Sequence, residues 1–286
     1  MTRRRKIALL VIAALVLVLA LLLRWLLSPA YLTSAILDAA GKSLGLEITA
    51  GGVGEYRLRG TPMLVVRDVV AREPGASVPL LRAKRIYLSL PWSTLRAGGK
   101  DLVVQRIELD APQFDLPALQ HWLATRPPSE TRIPTLTDGL RISKGAIIND
   151  DWRIEDLDAD LPSLHPDQLA HARLRGRYLD PPLVIPVDLA VALARPSALA
   201  NGQTSGFATR GRISIERGDW KLPATVALSG PLLLGKDELR ITPARLGVAA
   251  RYESGDTRLP FALGLHGPLK FDEATWTLAP VGVALH

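Results

Sequence analysis

The sequence contains no cysteine, and this absence excludes several kinds of chemistry. A chain without thiols has no disulfide, no cysteine nucleophile, no cysteine-ligated zinc and no iron–sulfur cluster. With 286 residues the chain is long enough to bury a stable core without disulfides, so the absence is compatible with either redox compartment. Aromatic residues are also few, with 4 Phe, 6 Trp and 5 Tyr, which favours an aliphatic binding surface over a platform that stacks sugars or bases.

The net positive charge is small once the first 30 residues are set aside. The formal net charge is +7, but residues 1–30 hold five basic residues and no acidic one, which leaves 30 basic against 28 acidic residues in the other 256. Binding to phosphate backbones needs a positive excess gathered on one face, and a body this close to neutral lacks it. We therefore expect no nucleic-acid partner.

Sequence motifs for catalysis and metal binding are missing. Asp156, Asp158 and Asp160 alternate like calcium ligands, but Leu161 occupies the position where an EF-hand loop needs glycine. We interpret the three carboxylates as the solvent-facing side of a strand. The five histidines lack ligand spacing, and no Gly-x-Ser-x-Gly segment is present. We predict that the protein is not an enzyme and holds no metal and no cofactor; an enzyme acting on cell-wall material is the weakest alternative, because triads assemble from distant positions.

One long apolar run is present, at residues 7–27. It begins with 17 consecutive Ile, Ala, Leu and Val residues, and about 20 apolar residues at ~1.5 Å each cross a ~30 Å hydrocarbon core. The basic residues before it belong in the cytoplasm by the positive-inside rule, which places the body in the periplasm of a bacterial inner-membrane protein. A cleaved signal peptide is the alternative. The residues expected to set the orientation are Arg3, Arg4, Arg5, Lys6, Arg24 and Trp25.

Beyond residue 45 apolar and polar residues alternate, which is the pattern of strands. We predict a short amphipathic helix that begins at Ser28-Pro29 and ends at Gly41 and Gly45, one helical turn over residues 91–95 and a short helix over residues 117–124. Because no window between 139 and 286 has a period of 3.6, we predict strands alone in that part. Turns are expected wherever glycine and proline fall between the runs, including Gly230-Pro231 and Gly267-Pro268. The predicted fold is mainly β with a few short helices: a transmembrane helix, then a long antiparallel, meandering, twisted sheet that forms a groove or a sandwich.

The first part of the body has a recognisable order of segments. After the membrane run come Ala-Ala-Gly-Lys-Ser-Leu-Gly-Leu-Glu-Ile at 39–48, Leu-Val-Val-Arg-Asp-Val at 64–69, a strand-like segment at 83–90, and Val-Gln-Arg-Ile-Glu-Leu-Asp-Ala-Pro at 104–112. This order resembles the start of AsmA-like proteins, over about residues 5–120. The resemblance implies an inner-membrane anchor, a periplasmic β-groove with an apolar lining, and bridge-like transfer of phospholipid towards the outer membrane of Gram-negative bacteria. Full-size members are much longer than this chain.

We accordingly divide the chain into five parts. Residues 1–6 are a cytoplasmic basic stub and residues 7–27 a transmembrane signal anchor. Residues 28–124 form the AsmA-like N-terminal unit of short helices and sheet, residues 125–137 a linker or loop, and residues 138–286 a β-repeat region that continues the sheet.

The expected ligand is phospholipid, bound or conducted along the apolar side of the strands to support envelope integrity. The alternative for this apolar stripe is a packed core between two sheets. Another protein class also fits the layout: a structural or assembly component of an envelope machine, such as the N component of type II secretion. Alternation persists to Leu285, so either the sheet ends at an open edge, where an outer-membrane or periplasmic protein is expected to pair, or the chain continues. The expected groove residues are Ile107, Leu109, Leu174, Tyr178, Ile213, Ile215, Val226, Leu228, Phe261, Leu263 and Leu265.

Overall fold

The computed structural model describes residues 41, 44–52, 54–57, 59–96, 103–125, 133–235, 238–272, 275–280 and 282–285. The predicted stub and anchor, with all six residues expected to set the membrane orientation, lie outside this part of the chain. Among the described residues, no helix has the length and apolar character needed to cross a membrane.

In the first part of the body, the described residues form short strands and the helices α1 and α2. Helix α1 covers Trp92–Arg96 and helix α2 covers Leu116–Thr125, and the sequence predicts a short helix at both places. Asp115 begins α2, because its Oδ1 accepts a hydrogen bond of 2.9 Å from the backbone N–H of Ala118. The strands are β1 Glu47–Gly52, β2 Tyr56–Arg57, β3 Met63–Arg72, β4 Leu81–Ser89, β5 Val103–Val104, β6 Arg106–Asp110 and β7 Gln113–Asp115.

The second part is a meander of longer strands. They lengthen along the chain, from 9 residues in β9 to 17 residues in β15. One helix interrupts them, α3 at Pro196–Ala200, which the sequence did not predict because five residues are too few to display a helical period. The strands are β8 Thr135–Leu136, β9 Leu140–Ile148, β10 Arg153–Leu161, β11 Ala170–Asp180, β12 Leu183–Leu193, β13 Ser205–Arg217, β14 Trp220–Leu234, β15 Glu238–Ser254, β16 Thr257–Asp272, β17 Thr275–Leu278 and β18 Gly282–Leu285.

A single sheet of 16 strands contains nearly all of these strands. Its main path runs β1-β3-β4-β6-β9-β10-β11-β12-β13-β14-β15-β16-β17, with β2, β7 and β18 paired beside it, while β5 and β8 form a separate two-stranded ladder. From β9 to β17 each strand pairs antiparallel with the next one in the chain. The prediction of a mainly β fold with a long meandering sheet is therefore confirmed.

A parallel strand pairing joins the parts of the sheet that precede and follow the predicted linker. Strand β9 pairs in parallel with β6 and with β7, so the chain returns along the sheet between β7 and β9. Helix α2 lies in this connection, as a crossover between parallel strands requires. The short strand β8 also falls inside the segment predicted as a loop.

Two predicted turns are wrong. Gly230-Pro231 lies inside β14 and Gly267-Pro268 inside β16. The β14–β15 register shifts between Ser229 and Leu232, and Gly230 has a φ of 155°, which only glycine adopts readily. The β15–β16 register shifts between Ile241 and Ala244, opposite Gly267. In both ladders the additional residue lies on β15, so each glycine faces a bulge in the neighbouring strand while β14 and β16 continue through the Gly-Pro pairs.

Candidate functional site

One face of the sheet carries an unbroken line of apolar residues that are paired from strand to strand. Residues opposite one another across neighbouring strands project to the same face, so a chain of register partners defines a row. The row crosses eleven strands, which at about 4.8 Å between strands corresponds to about 48 Å. Its members are Val66, Ile86, Leu109, Ile142, Ala159, Leu174, Leu189, Gly211, Val226, Val248 and Leu263. We call this side of the sheet the aliphatic face.

All eleven residues expected to line a groove lie on the aliphatic face. Leu109, Leu174, Val226 and Leu263 belong to the row itself, and the other seven lie two or four residues away on the same strands. Ten of the eleven are half-buried, and Phe261 is 38% exposed. None is closed into a fully buried core.

The aliphatic face is covered at one place by a compact cluster. Leu232, Ile241 and Leu269 are buried there together with Ala244, and Ile241 is only 2% exposed. Leu199 of helix α3 packs against this cluster, as do Phe207, Leu228, Leu239 and Leu278. Helix α3 therefore covers the aliphatic face at one end of β13 and β14, near the register shift between β14 and β15. A second cluster joins Leu46, Ala71 and Leu80 with residues of α2, including Trp122.

The opposite face carries a cluster of charged residues on β11, β12 and β13. Asp188 of β12 faces three guanidinium groups: Arg173 at 3.2 Å, Arg175 at 3.2 Å and Arg212 at 3.4 Å. The hydrogen bond from Arg173, reinforced by Arg175, holds the pKa of Asp188 below its ordinary value although partial desolvation opposes this. Asp188 thus stays ionised and ties three strands together.

Beside this charged cluster, the opposite face carries a trough that crosses β11 to β16 and reaches β18. It has a volume of about 920 Å³, within the usual range for ligand sites. Two adjacent register rows line it, and most of their side chains are small. One row is Ala190, Arg210, Ala227, Gly247 and Gly264; the other is Ala192, Ala208, Ser229, Arg245 and His266.

The pattern of large apolar residues does not predict this trough, although the sequence carries a signal for it. Alanine, glycine and serine recur at alternate positions of the same strands whose other positions are aliphatic, as in Ala190-Val191-Ala192 and Ala227-Leu228-Ser229. The large apolar residues by themselves predict a binding surface on the aliphatic face only. Of the predicted groove residues, only Leu228 and Leu265 border the trough.

Comparison of the chain with protein-family models, with curated proteins and with solved structures finds no match. Among the described residues there is no group of three or more histidine, aspartate or glutamate side chains arranged to hold a metal ion.

Proposed function

We propose that this protein binds phospholipid acyl chains along the aliphatic face and conducts them between the membranes of a Gram-negative envelope. One observation carries the proposal: the apolar row that continues through eleven strands of one sheet without a charged residue. A row of this kind gives an acyl chain equivalent contacts at every step across the sheet. Conduction needs such equivalence, because a deep local minimum would trap the lipid.

The exposure of the row supports a groove over a closed sandwich. Side chains packed between two sheets would be buried, whereas ten of the eleven residues of the row are half-buried and only Val66, at the β3 end, is buried. A contiguous apolar surface of this length is unusual on a soluble protein unless a ligand or partner covers it. Each buried methylene of an acyl chain would contribute about 0.8 kcal/mol to binding.

The N-terminal sequence supports a location at the inner membrane. The apolar run over residues 7–27 and the basic residues before it favour an anchor with the body in the periplasm. In this arrangement the sheet begins next to the bilayer from which lipid would be taken. The resemblance of residues 5–120 to AsmA-like proteins favours the same role.

Site-specific photo-crosslinking in the full membrane-anchored chain tests the proposal. A photoreactive amino acid replaces Leu174 on the aliphatic face, and the matched control replaces Asp160, an exposed residue on the other face of neighbouring β10. We expect phospholipid adducts at position 174, detected by mass spectrometry after irradiation of cells, and few at position 160. Equal labelling at both positions, or no lipid at position 174, would contradict the proposal.

A further inference from the structure

We propose that the trough on the opposite face is a second lipid site, selective for an anionic phospholipid whose headgroup phosphate is held by Ser229, Arg245 and His266. The choice of phospholipid rests on the proposed function, but the trough is separate from the aliphatic face. Its floor is alanine and glycine, and its polar border is formed mainly by Arg210, Arg245 and histidines. No carboxylate lines it among the residues that the structure describes.

The arginines of the trough differ from their neighbours on the same face. Arg212 lies 3.4 Å from Asp188, and Arg251 lies 2.5 Å from Glu253. Arg210 and Arg245 have no carboxylate within salt-bridge distance in the described part of the chain. Two unneutralised guanidinium groups on an otherwise apolar trough complement an anion that carries an apolar tail.

Three hydrogen-bonding side chains stand in one row across β14, β15 and β16. Ser229 is the register partner of Arg245, and Arg245 is the partner of His266. Directly opposed residues have Cβ atoms about 4.5–5.5 Å apart, so a hydroxyl, a guanidinium and an imidazole converge on one region. A phosphate monoester suits this set, because a guanidinium binds two phosphate oxygens at once.

The small residues leave room for the acyl chains. Ala227 and Gly247 are paired in the row next to Ser229 and Arg245, and both are exposed. A Cβ added at Gly247 would have no neighbouring atom within 4 Å. A larger side chain at this position would therefore occupy the trough without disturbing the backbone.

A diazirine amino acid at Ala227 of the full chain tests the site. The protein is incubated with vesicles that contain equal amounts of phosphatidic acid and phosphatidylcholine, irradiated, and the adducts are identified by mass spectrometry. We expect phosphatidic acid to dominate the adducts at position 227, and Arg245→Gln to reduce them roughly tenfold, the loss expected for a charge-assisted hydrogen bond. Gly247→Leu should also reduce them, by filling the trough.

Arg258→Gln is the matched control. Arg258 is exposed on the same face of β16, eight residues before His266 and about 27 Å from it along the strand. It should leave the adducts unchanged; an equal loss in Arg258→Gln and Arg245→Gln, or equal labelling by both lipids, would overturn the proposal. Complete competition by inorganic phosphate would identify free phosphate as the ligand and would also overturn it. If the photoreactive residue at position 174 gives lipid adducts and the one at position 227 gives none, the lipid site in the trough is rejected and the proposed function is unaffected. If neither position gives lipid adducts, the trough site and the proposed function are both rejected.

Discussion

Single carboxylates connect neighbouring strands on the face that carries the charges. Glu108 of β6 accepts a hydrogen bond of 2.6 Å from Arg106 on its own strand and one of 3.2 Å from Arg85 on β4. Desolvation favours the neutral acid, but the two guanidinium groups outweigh it and hold the pKa of Glu108 below its ordinary value of 4.5. The carboxylate therefore stabilises the β4–β6 pairing as long as it is ionised.

Glu108→Gln should destabilise the protein by about 1 kcal/mol at neutral pH, because these partly exposed ion pairs are screened by solvent. A group whose pKa is lowered on folding contributes stability above its unfolded pKa and loses this contribution as the pH falls through the folded value. The difference between the two proteins should therefore be full at pH 7 and shrink below about pH 4.5. Urea unfolding of both proteins at several pH values measures it, and a difference independent of pH would contradict the explanation.

At the scale of strands, β12 and β13 approach so closely at one point that only glycine fits. A Cβ at position 211 would lie 2.0 Å from the carbonyl oxygen of Asp188. This explains why the aliphatic row has glycine rather than a larger apolar residue at position 211, and the sequence alone offered no reason for it. Alternation predicted which residues share a face, but the closeness of two backbones depends on register and local twist.

Gly211→Ala should destabilise the pairing of β12 with β13 by ~1–3 kcal/mol, the usual cost of overpacking. Gly247→Ala is the control, since its Cβ enters open space two strands away, and it should be neutral or stabilising by about 0.4–1 kcal/mol through the unfolded state. Thermal unfolding followed by circular dichroism compares the two variants. Similar effects of both would show that the close approach at Gly211 is unimportant.

At the scale of the whole molecule, closed packing and the half-buried face can be separated by mutation. Ile241 is 2% exposed in the cluster under α3, whereas Ile213 is half-buried on the aliphatic face. Ile241→Ala should cost about 2–5 kcal/mol of unfolding free energy, and Ile213→Ala distinctly less, because solvent already reaches that side chain. Equal losses in denaturant unfolding would mean that the face is packed as a core.

Much of the architecture follows from alternation, and the remainder from long-range pairing. The mainly β character and the shared face of Leu174, Val226 and Leu263 were predictable because period-two patterns report local strand geometry, and helix α2 because its segment departs from that period. The parallel junction between β6 and β9 was not, since nothing local specifies which strand receives β9. The trough was missed because it depends on small residues from five strands lying side by side.

The strands lengthen along the chain, so the sheet is broader at β15 than at β9. At about 3.4 Å per residue, β9 spans about 30 Å and β15 about 58 Å, so the sheet tapers towards its N-terminal part. An apolar occupant that lay along the strands would therefore remove more surface from water at β15 than at β9, at about 25 cal/mol per Å². An occupant that crossed the strands would meet one residue of the aliphatic row per strand wherever it lay, so the taper distinguishes the two orientations and leaves the contacts across the sheet equivalent.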